Sequence, residues 1–480
     1  MTNSINYKIN NFLIIVSIWL FILFYLLYYD INSFILFLLL PPFFGIMLYS
    51  SIKKKNISLS IFLVLIFISQ AINPSLFFLS KNKFLESENW EVKDFNFDIV
   101  DFFSLYQNMY LLIFLIFFTT LFLNKYFLRK NKSYLENNLS KTSYTNNFEI
   151  QSNINTSSKN KYSKYLVLLI TFLAIPLCFF MYKNGIGIST IQPKRLPFKL
   201  VGLTIYTRMI LIPGFIFYFY FKSKRTFFST LFIFTYALIV GLLSLSKGML
   251  LLAIMPVVIF SYIDKKKTLF LFSIIYGALL YIIVSEFRQF ILLTNLGLFD
   301  ILNTIYNLIS DNTAYDSDQN IVLTFLFAFT DRLYGAQYTI LASRFELHNN
   351  LSFIFDFILS NTESLSKVIA FDIFGIPDQL DVVIGVNIGY LNILLLLAKH
   401  NLFFIFLLAF FTSICLTLAE YLAFRYSNRN DLIKIVGYVL CFNMIFFLYD
   451  GFIGKFYIIV LLTIIFNMTV NLFTKVKIRV

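Results

Sequence analysis

Arginine is the residue type in this chain whose placement carries chemistry. The sequence holds ten Arg against 29 Lys, and five of the ten, Arg195, Arg208, Arg288, Arg332 and Arg344, fall outside the strongly basic segments. A guanidinium binds phosphate or carboxylate oxygens with two parallel hydrogen bonds, which an ammonium cannot do. Arg208 lies inside an apolar run, where an ionisable side chain is costly and by default marks a site. Lys247 sits in the tight turn Ser244-Leu245-Ser246-Lys247-Gly248. Arg288 follows Glu286 by two residues, Arg332 adjoins Asp331, and Arg344 precedes His348 by four, one helical turn if that segment is helical. These cations suit an anionic phosphate. Glu286, Asp316, Asp318, Asp331, Asp378, Asp381 and His348 are the proton acceptors in the same region.

Positioning such residues falls to a membrane framework. The 480 residues are 59% hydrophobic and only 13% charged, against about 45–50% and about 25% in soluble globular domains. That excludes a soluble globular protein. The abundance of Phe (62) and Tyr (30), with many Ile, Asn and Lys, has the look of an AT-rich coding bias and carries no functional weight. Cys178, Cys415 and Cys441 each sit in an apolar run, as small buried hydrophobes rather than disulfide partners or metal ligands. Gly-rich phosphate loops, paired CxxC motifs, zinc-like His spacings and a full calcium-ligand set are all missing from the sequence.

A bilayer core of ~30 Å needs ~20 apolar helical residues. Twelve runs qualify: Phe12–Tyr29, Phe34–Ser50, Leu59–Phe78, Tyr106–Leu123, Tyr165–Tyr182, Leu203–Phe221, Thr226–Leu243, Ser246–Ile263, Thr268–Ser285, Leu402–Ala423, Ile435–Tyr449 and Phe456–Phe473. The first is too long for a cleaved signal peptide. Pro41 and Pro42 should kink the second run and Pro213 the sixth. Val382–Leu397 is apolar but carries Gly385, Asn387, Gly389 and Asn392; it is expected to be a re-entrant or interfacial helix, tolerable at membrane depth only when packed in protein or lining a wet cavity.

Lys and Arg are retained on the cytoplasmic side, and their distribution places both termini there. Cytoplasmic segments hold 24 of the 39 Lys+Arg and five of the 25 Asp+Glu, Glu420 included. The net +14 thus divides into +19 inside and −5 outside, and nucleic acid drops out as a partner. The expectation is an all-α polytopic membrane protein of about 12 transmembrane helices with one large, partly helical outer loop. Its parts are a four-span unit at 1–123, a flexible cytoplasmic linker at 124–164, five spans at 165–285, the outer loop with its re-entrant segment at 286–401, and three spans at 402–480. Ser80–Leu105 is an acidic outer loop that reads as a solvated face. Within 286–401, Ile301–Ile309, Ile321–Phe329, Tyr334–Ala342 and Leu351–Leu359 suit short helices lying on the bundle.

The turn "LSLSKGMLLLAIMP", the loop opening "EFRQF" and the stretch "VNIGYLNILLLLAKHNLFFIF", set in this layout over about residues 165–475, resemble the bacterial oligosaccharide repeat-unit polymerases, the Wzy-type O-antigen polymerases. The O-antigen ligases are similar at greater distance, but they place a His-Asn pair before the re-entrant helix, whereas His400-Asn401 follows it here. The resemblance implies a metal-independent glycosyltransferase without cofactor in the bacterial inner membrane. Its substrates would be undecaprenyl-pyrophosphate-linked oligosaccharides, polymerised at the outer face into O-antigen, capsule or exopolysaccharide, with a chain-length regulator as protein partner. It assigns Arg195, Arg208, Lys247 and Arg288 to the pyrophosphate. Lys247 stands where many relatives have Arg. Arg288, Arg332, Arg344, Asp331 and His348 become the catalytic group. The alternatives are a lipid-linked oligosaccharide flippase, which predicts short outer loops, and another polytopic lipid-dependent glycosyltransferase, which favours an acid in the first outer loop, where Asp30 stands alone.

Overall fold

The computed structural model describes residues 44–54, 56–72, 99–129, 176–184, 207–214, 226–244, 267–294, 389–398, 401–425 and 431–476, together with positions 204, 250, 254, 257, 258, 261 and 359. Among them there is helix and turn but no strand. In chain order the helices are α1 (44–53), α2 (Ile57–Phe67, continuing as a π-turn over Ile68–Ile72), α3 (Ile99–Arg129) and α4 (176–183). A second π-turn, Thr207–Leu211, precedes α5 (Thr226–Ser244), α6 (Lys267–Thr294), α7 (Tyr390–Ala398), α8 (Leu402–Phe424), α9 (Asp431–Tyr449) and α10 (Ile453–Val476).

Among the described residues three stretches are long and apolar enough to cross a bilayer: Asn108–Tyr126, Leu402–Phe424 and Ile453–Asn471. Shorter apolar helices cover Ile57–Gln70, Phe234–Leu243, Thr268–Tyr281 and Val436–Tyr449. Their outward faces are as apolar as their packed ones. Phe114, Phe118 and Phe122 recur every turn along α3 and are exposed, and Phe403, Phe406, Phe410 and Ile414 do the same on α8. A helix that is apolar all round suits hydrocarbon rather than water. The first run, Pro41, Pro42, residues 80–98 of the acidic loop, residues 130–164 of the linker and the short runs of the outer loop apart from Leu359 lie outside the described residues, whereas 99–105 of the expected loop and 124–129 of the expected linker are helix within α3.

α8 is the hub. It lies against α3 most extensively and also meets α2, α7, α9 and α10. Where α3 and α8 touch, the hydroxyls of Thr119 and Ser413 bond each other, and Ser413 Oγ lies 3.2 Å from the Ile116 carbonyl oxygen. Small polar side chains let backbones approach and bond across helices in an apolar surround. The same logic operates between α8 and α9. A Cβ on Gly437 would collide with the Ala423 carbonyl oxygen, so only glycine permits that approach. The α9–α10 hairpin closes on Gly451 at φ 82°, with Phe452 N–H donating to Phe447 O at 3.0 Å and Gly451 N–H to Leu448 O at 3.1 Å. That is the Schellman pattern, satisfying carbonyls that the helix end would orphan.

α7 occupies the described end of the expected re-entrant segment. Its nine residues rise only about 13.5 Å, too short to cross a bilayer. Every one is buried. α7 packs on α3, α8 and α9, with Tyr390 Oη 2.8 Å from Thr412 Oγ1 of α8. Asn401 caps α8, its Oδ1 accepting from Phe403 N–H at 3.0 Å. The polar half of the expected His400-Asn401 pair therefore serves a helix start.

One ionised-type side chain joins distant parts of the chain. Glu420, on α8 and 7% exposed, accepts from the backbone N–H of Ser58 at 2.6 Å. Ile57 N–H also donates to it, while the Ser58 hydroxyl donates to Asn56 Oδ1 at 3.2 Å. Asn56 caps the same helix end through Leu59 N–H at 3.1 Å. A carboxylate at a helix N-terminus meets unsatisfied N–H groups and the positive end of the helix dipole, so this burial is compensated.

Candidate functional site

Arg208 is the sequence-predicted site residue whose side chain the structure describes. It is 2% exposed, among the largest fully buried side chains, and sits in the π-turn Thr207–Leu211. The turn has a local cause. Five residues beyond Arg208 comes Pro213, which has no N–H. In an i→i+5 turn the Arg208 carbonyl would look to residue 213 for its donor and find none. Tyr236 of α5, itself 3% exposed, supplies it, with its hydroxyl donating to Arg208 O at 2.9 Å. The kink expected at Pro213 thus takes the form of a π-turn just ahead of the proline, and α5 holds it in place.

The guanidinium is treated differently from the carbonyl. Its Nε and Nη2 atoms are buried and have no hydrogen-bond partner among the described residues. These two nitrogens form the side-on edge of the fork, the edge that grips a phosphate or carboxylate with two parallel bonds. Cys178 of α4 and Tyr236 are the titratable groups beside it, and neither is a carboxylate. Among the described residues, then, Arg208 is a buried cation without an anion. Removing a charge from water without compensation costs several kcal/mol, about the scale on which proteins place ligand sites rather than ornaments.

A second buried polar atom without a partner among the described residues lies on α9, the helix on which the π-turn packs. Asn443 of α9 is fully buried; its Nδ2 donates to Val439 O at 2.8 Å, and its Oδ1 has no partner among the described residues. The Nδ2 bond fixes the amide orientation, since a flip would set oxygen against a carbonyl. The π-turn packs on α9, and a Cβ at Gly214 would lie 3.5 Å from Val436 Cγ2. Sequence reasoning did not single out Asn443 or Tyr236. Both look like ordinary members of apolar runs, and no spacing rule distinguishes them.

Arg288 and Glu286 lie on α6, which continues to Thr294 rather than ending with the apolar run at Ser285. Glu286, Phe287, Arg288 and Gln289 contain no helix breaker, so the helix outlasts the hydrophobicity that announces it. Arg195, Lys247, Arg332, Arg344, Asp331 and His348 fall outside the described residues. Cys178, Cys415 and Cys441 are free and buried. Among the described residues no group of three or more His, Cys, Asp or Glu converges as metal ligands would. Compared with protein-family models, curated proteins and solved structures, the chain matches none.

Proposed function

We propose that this chain is a polytopic glycosyltransferase that polymerises undecaprenyl-pyrophosphate-linked oligosaccharide repeat units at the outer face of the bacterial inner membrane, with twelve crossings and both termini in the cytoplasm. The observation that carries the reading is the buried Nε/Nη2 edge of Arg208, without a hydrogen-bond partner among the described residues, within the apolar run Leu203–Phe221. A lipid pyrophosphate is an anion anchored at that depth, and a fork held rigid by a tyrosine-braced turn is suited to it.

In this reading the hydroxyl at the non-reducing end of a new unit attacks the anomeric carbon of the growing chain. A glycosidic C–O bond forms as the C–O bond to pyrophosphate breaks, and the electron pair leaves on the phosphoryl oxygen. Arg208, with Arg195, Lys247 and Arg288, stabilises the charge that develops there. Asp331 or His348 accepts the hydroxyl proton, and Arg332 and Arg344 orient the sugars. Arg288, on the prolonged α6, is carried by a helix rather than a loop.

The test is glycan-ladder analysis in a deletion strain carrying variants of the full chain. Arg208→Ala and Arg288→Ala should reduce the surface glycan to single repeat units while the protein stays in the membrane at wild-type amount. A normal ladder in both would refute the assignment. Loss of all surface glycan would point to transport of the lipid-linked unit instead.

A further inference from the structure

Two short basic segments far apart in the sequence meet at one end of the bundle. Lys53 and Lys54 close α1, and Arg425 caps the C-terminal end of α8; all three are exposed. The lysine turn is firmly tied. Lys54 N–H donates to Ser50 O and Asn56 N–H to Ser51 O, each at 3.0 Å, and Ser51 Oγ lies 2.9 Å from Ser60 Oγ of α2. Four residues past Lys54, Ser58 N–H donates to Glu420 at 2.6 Å, and five residues past Glu420 comes Arg425. Direction follows from contacts as well. α9 starts beside Ala423 and its far end, Tyr449, meets Phe62 and Ser69 further along α2, so α9 rises with α2 and α8 descends towards the lysine turn.

The cations stand at the ends of exposed apolar stripes. On α1 the stripe is Ile46, Tyr49 and Ile52; on α8 it is Phe410, Ile414 and Leu418, with Arg425 two turns beyond. Arg425 lies over the Tyr421 ring, 5.5 Å from its centroid, which keeps the guanidinium at the border of the apolar surface. Such faces meet acyl chains, and a cation at the end of one meets the headgroups. Cations at helix C-terminal ends also offset the helix dipole. Each segment fills that role alone and is indifferent to the other. Their meeting sets three positive charges at one membrane boundary, where they repel one another unless an anion lies among them.

We propose that Lys53, Lys54 and Arg425 form a site for the headgroup of an anionic glycerophospholipid, which bridges the α1–α2 turn and the end of α8 while its acyl chains lie along the exposed stripes. The occupant is a lipid because the cations end apolar faces that acyl chains cover. An anionic headgroup answers the cations; a zwitterionic one brings a cation of its own and answers them less. The site is independent of glycosyl transfer. Lipid and Glu420 join the same two segments, one at the surface and one in the core.

The experiment is native mass spectrometry of the full chain in neutral detergent, titrated with phosphatidylglycerol or with phosphatidylethanolamine. Phosphatidylglycerol should bind more tightly. Lys53→Gln, Lys54→Gln and Arg425→Gln should each weaken it about fivefold, the worth of one cation near an anionic lipid surface. Lys53→Arg and Arg425→Lys keep the charge and should keep the preference. Lys183→Gln, which removes an exposed cation at the end of α4, should leave it unchanged. Glu420→Ala separates a built site from general attraction. It removes a carboxyl, so attraction by charge alone would hold or grow, whereas a site assembled by the latch should lose affinity for phosphatidylglycerol. Glu420→Gln, which keeps an acceptor, should bind the lipid more tightly than Glu420→Ala. The exposed cation positions are not needed for folding, so their variants decide the matter even where Glu420→Ala does not fold. Equal affinity of the wild type for both lipids, a preference that survives all three glutamine substitutions combined, or undiminished affinity in Glu420→Ala overturns the site.

Discussion

Among the described residues one carboxyl, Glu420, and one guanidinium, Arg208, are buried, and their surroundings divide them. Glu420 is met by the first N–H groups of α2, so its carboxyl oxygens find donors within the protein. Arg208 has its carbonyl answered by Tyr236 while the Nε/Nη2 edge of its guanidinium has no partner among the described residues. The first is a fastening between residues 362 positions apart. The second has no such answer among the described residues. Burial alone does not tell a latch from a site; the partners do.

The sharpest test of this contrast exchanges the expected losses. Arg208→Ala should abolish chain extension and leave the protein's thermal unfolding in detergent close to wild type. Glu420→Ala should do the reverse, because it strands buried donors at the start of α2. The loss is about 1–3 kcal/mol of stability, read as a lower unfolding temperature and less folded protein. Glu420→Gln, which keeps an acceptor, should recover part of it. If Glu420→Ala instead lost chain extension at unchanged stability, the carboxylate would belong to the site and the comparison would collapse.

A comparable effect on stability alone comes from the seam beside the latch. Gly437→Ala sets a methyl group against the Ala423 carbonyl oxygen, an overpacking of about 1–3 kcal/mol. Its unfolding temperature should fall while any glycan made keeps its length distribution. The smallest is Thr119→Val, which removes the bond to Ser413. Interhelical bonds of this kind average about 0.6 kcal/mol in membranes, so unfolding should shift slightly and function not at all. A Thr119→Val variant as damaged as Glu420→Ala would mean that the α3–α8 seam, not the latch, holds the bundle together.

Much of the framework was legible because apolar length is a physical requirement of a span. The runs Thr226–Leu243 and Leu402–Ala423 became helices Thr226–Ser244 and Leu402–Phe424. Ile435–Tyr449 and Phe456–Phe473 lie inside Asp431–Tyr449 and Ile453–Val476. Where the reading fell short, it took the end of hydrophobicity for the end of the helix, as at Ser285. Helix propensity continues through polar residues until a breaker intervenes. Arg208 was conspicuous because a cation inside an apolar run is expensive wherever it points. Asn443 was not, since an amide in such a run bonds its own helix as readily as a ligand.

The sequence by itself determined that this chain is helical and carries membrane-length apolar segments, and that a cation lies within one of them. Those are properties of composition and local order, which act over a few turns. Only the tertiary structure decided that Glu420 is spent on the start of α2, that Tyr236 braces the turn of Arg208, and that this turn packs on α9. Each depends on which helix faces mate, and facing is set by packing between segments far apart in the chain, of which no local pattern carries a record.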